Sequence, residues 1–141
     1  MKNFFLLLLS IGLFTACNQT AKHEDHDHDN SSEAITLING EKWKINEEMK
    51  PNITEAEEVL NNYIKANGTD YKTLASELKN KNTALVKSCT MTGESHEELH
   101  KWLHPHIELI KELHDAENET EAQEVIAELQ KSFSTLHQYF E

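Results

Sequence analysis

Five of the nine histidines fall between His96 and His114, and the first two of these define the chemistry to look for. His96 and His100 stand at i, i+4, which on a helix puts two imidazoles on neighbouring turns roughly 6 Å apart. That spacing is the usual helical route to two ligands on one ion. The turn before them carries Cys89 and Met91, a thiolate and a thioether. Sulfur with imidazole selects copper, particularly Cu(I), or zinc, and the thioether favours copper. His137, near the far end of the chain, becomes a fifth candidate if the chain folds back on itself, because position 96 then pairs with the neighbourhood of 136. The competing reading is structural. A histidine pair at a core edge can be a hydrogen-bonded polar boundary, and Cys and Met are common core fillers.

The other histidines differ in character. His106 shares the apolar face of its segment with Leu99, Leu103, Ile110 and Leu113, so it reads as a core histidine satisfied by a neighbour. His104 points further toward solvent, and His104 and His114 fit either reading. His23, His26 and His28 alternate with Glu24, Asp25, Asp27 and Asp29. Such a tract can wrap a divalent transition metal, but only as a weak gathering site.

These side chains need elements to position them. Ile35, Leu37, Trp43 and Ile45 flank an Asn39-Gly40 turn signal, which predicts a short hairpin or extended segment. A first helix is expected from Thr54, where Thr54 and Glu57 form a capping box, to just before Gly68. Its apolar stripe is Ala56, Val59, Leu60, Tyr63 and Ile64. A second runs from Asp70 to about Thr90 with Tyr71, Leu74, Leu78, Leu85, Val86 and Cys89 on one face. Ser95 and Glu98 offer a capping box for a third helix ending near His114, with Pro105 nearly opposite its core face. A fourth, from Asn118 or Thr120 to about Tyr139, carries the stripe Ala122, Val125, Ile126, Leu129, Phe133, Leu136 and Phe140. Short connections between such helices predict an all-α, up-and-down four-helix bundle over residues 35–141.

Residues 1–16 read as a signal peptide: Lys2, then an apolar run from Phe4 to Phe14 too short to span a bilayer. Phe14-Thr15-Ala16-Cys17 resembles the lipobox of bacterial lipoproteins, although Phe14 stands where Leu is usual. The resemblance implies lipidation of Cys17 and a place in the cell envelope, with Asn18 compatible with the outer membrane. Residues 17–34 hold no large apolar side chain beyond the cysteine itself and read as a disordered tether. Cys89 is then the only other thiol, so it must be a metal ligand, a link between chains or a buried apolar residue.

The chain has 141 residues and a formal charge of −12, with every one of its 13 basic residues a lysine. That balance disfavours nucleic acid and anionic lipid surfaces as partners and favours cations. Only 4 Gly and 2 Pro argue against Gly-rich phosphate-binding folds, sandwiches and barrels.

Cys89-x-Met91-x-Gly93-Glu94-x-His96-x-x-Leu99-His100, with Asn39-Gly40-Glu41-Lys42-Trp43 upstream, resembles a family of small bacterial lipoproteins and periplasmic proteins. The resemblance spans roughly residues 35–141 and implies a helical bundle associated with heavy-metal handling. The expected function is a membrane-tethered, periplasmic metal-binding protein that sequesters copper or zinc, or transfers it to a metal-efflux or metal-transfer partner. Cys89, Met91, His96, His100 and His137 are its expected ligands. One alternative is an electron-transfer bundle holding b-type haem between Met49 and His137. Another is a lipoprotein that acts only through protein contacts. An enzyme is not expected, because Cys89 with His96 or His100 lacks an orienting third group and an oxyanion-hole signal.

Overall fold

In the computed structural model, which describes residues 34–141, helix formation begins a turn earlier than the Thr54 capping box predicts. The first helix, α1 (Lys50–Lys65), has Met49 as its N-cap with no side-chain cap bond and Pro51 in its first turn. Proline is preset for that position and sacrifices only an N–H that has no helical partner anyway. Thr54 therefore lies inside the helix. At the other end Asn67 adopts φ 50°, and Gly68 N–H donates to Tyr63 O (2.9 Å) and Asn67 N–H to Ile64 O (3.0 Å). This is a Schellman closure with Asn in the left-handed position. Gly68 is needed for another reason: a Cβ there would lie 2.5 Å from the Tyr63 ring.

The second helix, α2 (Tyr71–Ser88), is capped by Asp70, whose carboxylate accepts from Thr73 N–H (3.0 Å) and Thr73 Oγ1 (2.7 Å). Those bonds hold the Asp70 carboxyl below the usual range. α2 buries Leu74, Ala75, Leu78, Asn82 and Leu85. Val86, expected on the same stripe, is 47% exposed.

The third helix, α3 (Glu94–Asp115), takes Gly93 as N-cap and does not form the Ser95–Glu98 box. Glu98 is instead buried, accepting from Thr36 N–H (2.9 Å) and Lys101 Nζ (2.6 Å). Burial raises its pKa, but the hydrogen bonds and charge of Lys101, with Thr36, outweigh that and hold it below the usual range. Pro105 does not break the helix; it lines the α3 side of a groove with Trp102 and Leu109 rather than standing opposite the core. The fourth helix, α4 (Glu119–Tyr139), begins as expected, with Asn118 Oδ1 accepting from Glu121 N–H at 3.0 Å.

Each helix packs on the next in sequence, and α1 touches α4 only lightly, so the all-α four-helix bundle is the fold. Its interior includes Leu60, Leu78, Leu99, Leu113, Leu129 and Leu136, together with Met49. Ahead of α1, Asn39 (φ 53°) and Gly40 (φ 85°) make the turn that their types predict, closed by paired bonds between Ile38 and Glu41. No strand grows from it among the described residues. The chain beyond the turn instead pairs in parallel with the C-terminal residues: Trp43 N–H donates to Tyr139 O (2.8 Å), Glu141 N–H to Trp43 O (2.9 Å) and Ile45 N–H to Glu141 O (2.9 Å).

Residues 1–16, expected to be a signal peptide, Cys17 and the tract with His23, His26 and His28 lie outside the described residues. No helix among those described is long and apolar enough to cross a membrane.

Candidate functional site

Gly93 sets the start of the histidine-bearing helix. Its φ of 67° and ψ of −153° belong to a region that is essentially closed to residues with a Cβ. Its carbonyl accepts from His96 N–H (3.0 Å) and Glu97 N–H (3.1 Å), opening α3 without a side-chain cap. A Cβ would meet open space here, so backbone strain alone is at stake. Gly93→Ala is expected to cost on the order of 1–3 kcal/mol in urea unfolding. A cost below a few tenths would show that the turn relaxes freely.

From that start, α3 carries three imidazoles on successive turns. The His96 and His100 rings meet edge to face with centroids 4.3 Å apart, and His104 follows His100 at 4.8 Å. His104 is exposed, as expected, and also extends the pair into a ladder. Its i, i+4 spacing from His100 was the available signal. Partial burial lowers the His100 pKa, and the neighbouring His96 and His104 lower it further, because a second positive charge beside the first is unfavourable. The middle imidazole therefore stays neutral, with a nitrogen lone pair, to lower pH than an ordinary histidine.

The turn leading into α3 is held from outside it. Asn46 Nδ2 donates to Ser88 O (3.0 Å) and Asn46 Oδ1 accepts from Thr90 N–H (3.3 Å). Cys89, a free thiol, sits between these two anchors as the C-cap of α2, and both Cys89 and Met91 pack half-buried against the core. The role of Asn46 was not visible in the sequence, since its partners lie more than 40 residues away.

The other expected site residues lie elsewhere. His137 is exposed on α4, its Nε2–H donating to Glu57 Oε2 of α1 at 2.9 Å. Among the described residues no group of three or more His, Cys, Asp or Glu is arranged to hold a metal ion, so neither Cys89 nor His137 joins the His96–His100 pair in such a group. Met49 is fully buried, and the His137 nitrogen that a haem iron would need is turned onto Glu57.

His106 follows the structural reading. It is 2% exposed, stacked on Trp102 (4.7 Å between centroids) and edge-on to Phe133 (4.9 Å), with Nδ1 sharing a 2.8 Å hydrogen bond with Ser132 Oγ. His114 is exposed and donates from Nδ1 to Asp115 Oδ1 at 3.0 Å.

No protein-family model, curated protein or solved structure matches the chain.

Proposed function

We propose that the chain is a membrane-tethered metal-binding protein of the bacterial cell envelope that takes up Cu(I), or Zn(II), at the histidine edge of α3. The observation that carries this reading is the His96–His100 contact at 4.3 Å. Two imidazoles already face each other on adjacent turns, and modest ring rotations turn their nitrogens toward one ion. The lowered pKa of His100 reduces the proton competition that metal binding must overcome. Cys89 and Met91, in the turn just ahead of the pair, are the soft donors that favour copper over zinc, and bringing them to the ion requires opening the Asn46 bonds that anchor that turn. A site that closes only when the ion arrives also opens readily, which suits handing metal to an efflux or transfer protein. The tract with His23, His26 and His28 gathers ions at low affinity, and lipid on Cys17 keeps the bundle at a membrane. His137 is left out of the ligand set because Glu57 holds its nitrogen.

The test is an anaerobic Cu(I) titration against a chromogenic chelator, with Zn(II) alongside, in a chain whose His23, His26 and His28 are replaced by alanine. One ion per chain is expected. His96→Ala, His100→Ala and Cys89→Ser are each expected to weaken binding at least about tenfold while the far-ultraviolet dichroism stays helical. His137→Ala should leave affinity unchanged. A folded chain that binds neither ion sinks the reading and leaves a lipoprotein acting through protein contacts.

A further inference from the structure

We propose that the groove between α2 and α3 binds a small amphipathic anion: an apolar, ring-sized body that bears one N–H or O–H donor and a sulfonate or carboxylate. The groove encloses about 440 Å³, within the span of small-molecule sites.

Asn82 carries the argument. It stands four residues after Leu78 and three before Leu85, at the centre of the α2 face that packs into the bundle, where the pattern calls for leucine. It is 8% exposed, and its Oδ1 accepts no hydrogen bond from any described residue. Burying an acceptor without a partner is costly, and such exceptions need a cause. Asn82 lines the groove, and a turn of its side chain about χ2 brings the buried Oδ1 to a ligand donor there. The walls supply the apolar contact: Ile107 and Ile110 from α3, and Val86 from α2. Among the described residues Val86 is one of the few large apolar side chains left exposed, and a ligand body in the groove covers it.

The rim decides the charge. In a chain of net charge −12, the charged groups lining this groove are Lys79, Lys87 and Lys111, with His114 beside them. Among the described residues Lys79 and Lys87 have no carboxylate partner. Lys111 reaches Glu108 only at 3.4 Å, with both side chains more than 60% exposed, a pairing too weak to neutralise it. Three ammonium groups around an apolar slot favour an anionic head outside an apolar body. The His96–His100 edge does not line this groove, so the proposal is independent of the metal reading.

The probe is 6-anilinonaphthalene-2-sulfonate, which carries its N–H and its sulfonate at opposite ends of the naphthalene; 2-naphthalenesulfonate lacks the anilino group and its N–H. Each is titrated into the full chain by calorimetry, and the site is located from amide chemical shifts. The anilino compound is expected to bind one to one, to shift the Asn82 side-chain amide and to perturb backbone amides of 79–87 and 107–114. Asn82→Leu is expected to raise Tm by relieving the orphaned acceptor. It should also weaken the anilino probe about tenfold, with the probe lacking N–H unaffected. The surface double variant Lys79→Gln, Lys111→Gln, which does not disturb the core, is expected to weaken both probes. Shifts confined to the α3–α4 groove or to residues 1–33, or unchanged affinity in the leucine and glutamine variants, overturn the proposal.

Discussion

Lowering the pH from 6.5 to 4 is expected to remove about 3 kcal/mol of folding stability through His106 alone. Burial lowers the His106 pKa from 6.5 to about 4, because the ring is packed between Trp102 and Phe133 and, among the described residues, no carboxylate is bonded to it to offset its charge. In the folded chain the imidazole is thus neutral across this window, whereas in the unfolded chain it takes up a proton near 6.5. The unfolded state then binds more protons, and stability falls with pH by about 1.4 kcal/mol per unit. The His106 contribution is complete above pH 6.5 and is lost as pH falls to about 4, with no further loss from this residue below that. His100 adds a smaller effect of the same sign, its pKa being lowered too. Glu98 acts in a separate window: its pKa lies below the ordinary 4.5, so its stabilisation is full above that value and lost only as pH falls further. Urea unfolding at half-unit steps from pH 7.5 to 4.5 reads the slope. His106→Phe keeps the ring stack and removes the titration, and Ser132 Oγ can turn to a carbonyl of its own helix. That variant should flatten most of the dependence. A wild-type midpoint unchanged between pH 7 and 5, or an equal slope in the phenylalanine variant, contradicts the assignment.

The same residue shows what a pattern can convey. His106 repeats with Leu99, Leu103, Ile110 and Leu113, and helical periodicity alone places it inside. The α4 stripe from Ala122 to Phe140 was equally legible, because every member is apolar and the Asn118 cap is a local signal. Local signals misled where a competing local device won. Pro51 displaced the Thr54 cap, and Gly93, in a backbone region few other residues enter, made the Ser95–Glu98 box unnecessary. The released carboxylates found long-range partners, Glu98 with Thr36 and Glu57 with His137. No sequence window contains both members of either pair.

The candidate site was half legible for the same reason. The His96–His100 contact is a consequence of spacing on one helix and was visible at once. Bringing Cys89, Met91 and His137 to it required the relative rotation of three helices, which periodicity does not convey. Antiparallel counting puts a residue at the correct end of a bundle but says nothing of the direction in which its side chain leaves the helix. For His137 that direction is toward α1. Asn82 is a polar residue at the centre of an apolar face, and apolar periodicity carries no sign of it.

Trp43→Ala is expected to be the most damaging single truncation outside the helices, at about 3–5 kcal/mol. An isolated Asn39-Gly40 hairpin is marginal in water, and here no ladder extends from the turn. What holds the segment is the Trp43 ring, 5% exposed in the core, with Nε1–H donating to Thr36 O at 2.6 Å. The backbone bonds from Trp43 to Tyr139 and Glu141 survive the substitution in principle, but their geometry depends on the ring being seated. Losing it also frees Thr36, and with it the amide that helps to satisfy buried Glu98. A small domain has roughly 5–15 kcal/mol of stability in total, so the variant should unfold at a far lower urea concentration than the wild type. Trp43→Phe separates the two contributions: it keeps most of the apolar burial and loses only the Thr36 bond, for about 1 kcal/mol. Amide exchange at Thr36 should rise in both variants, and at Trp43, Ile45 and Glu141 only in the alanine variant. If Trp43→Ala costs less than about 1 kcal/mol, the segment is an appendage. If it costs the expected amount, residues 35–45 belong to the fold, and any tether that pulls on residue 34 pulls on the bundle core.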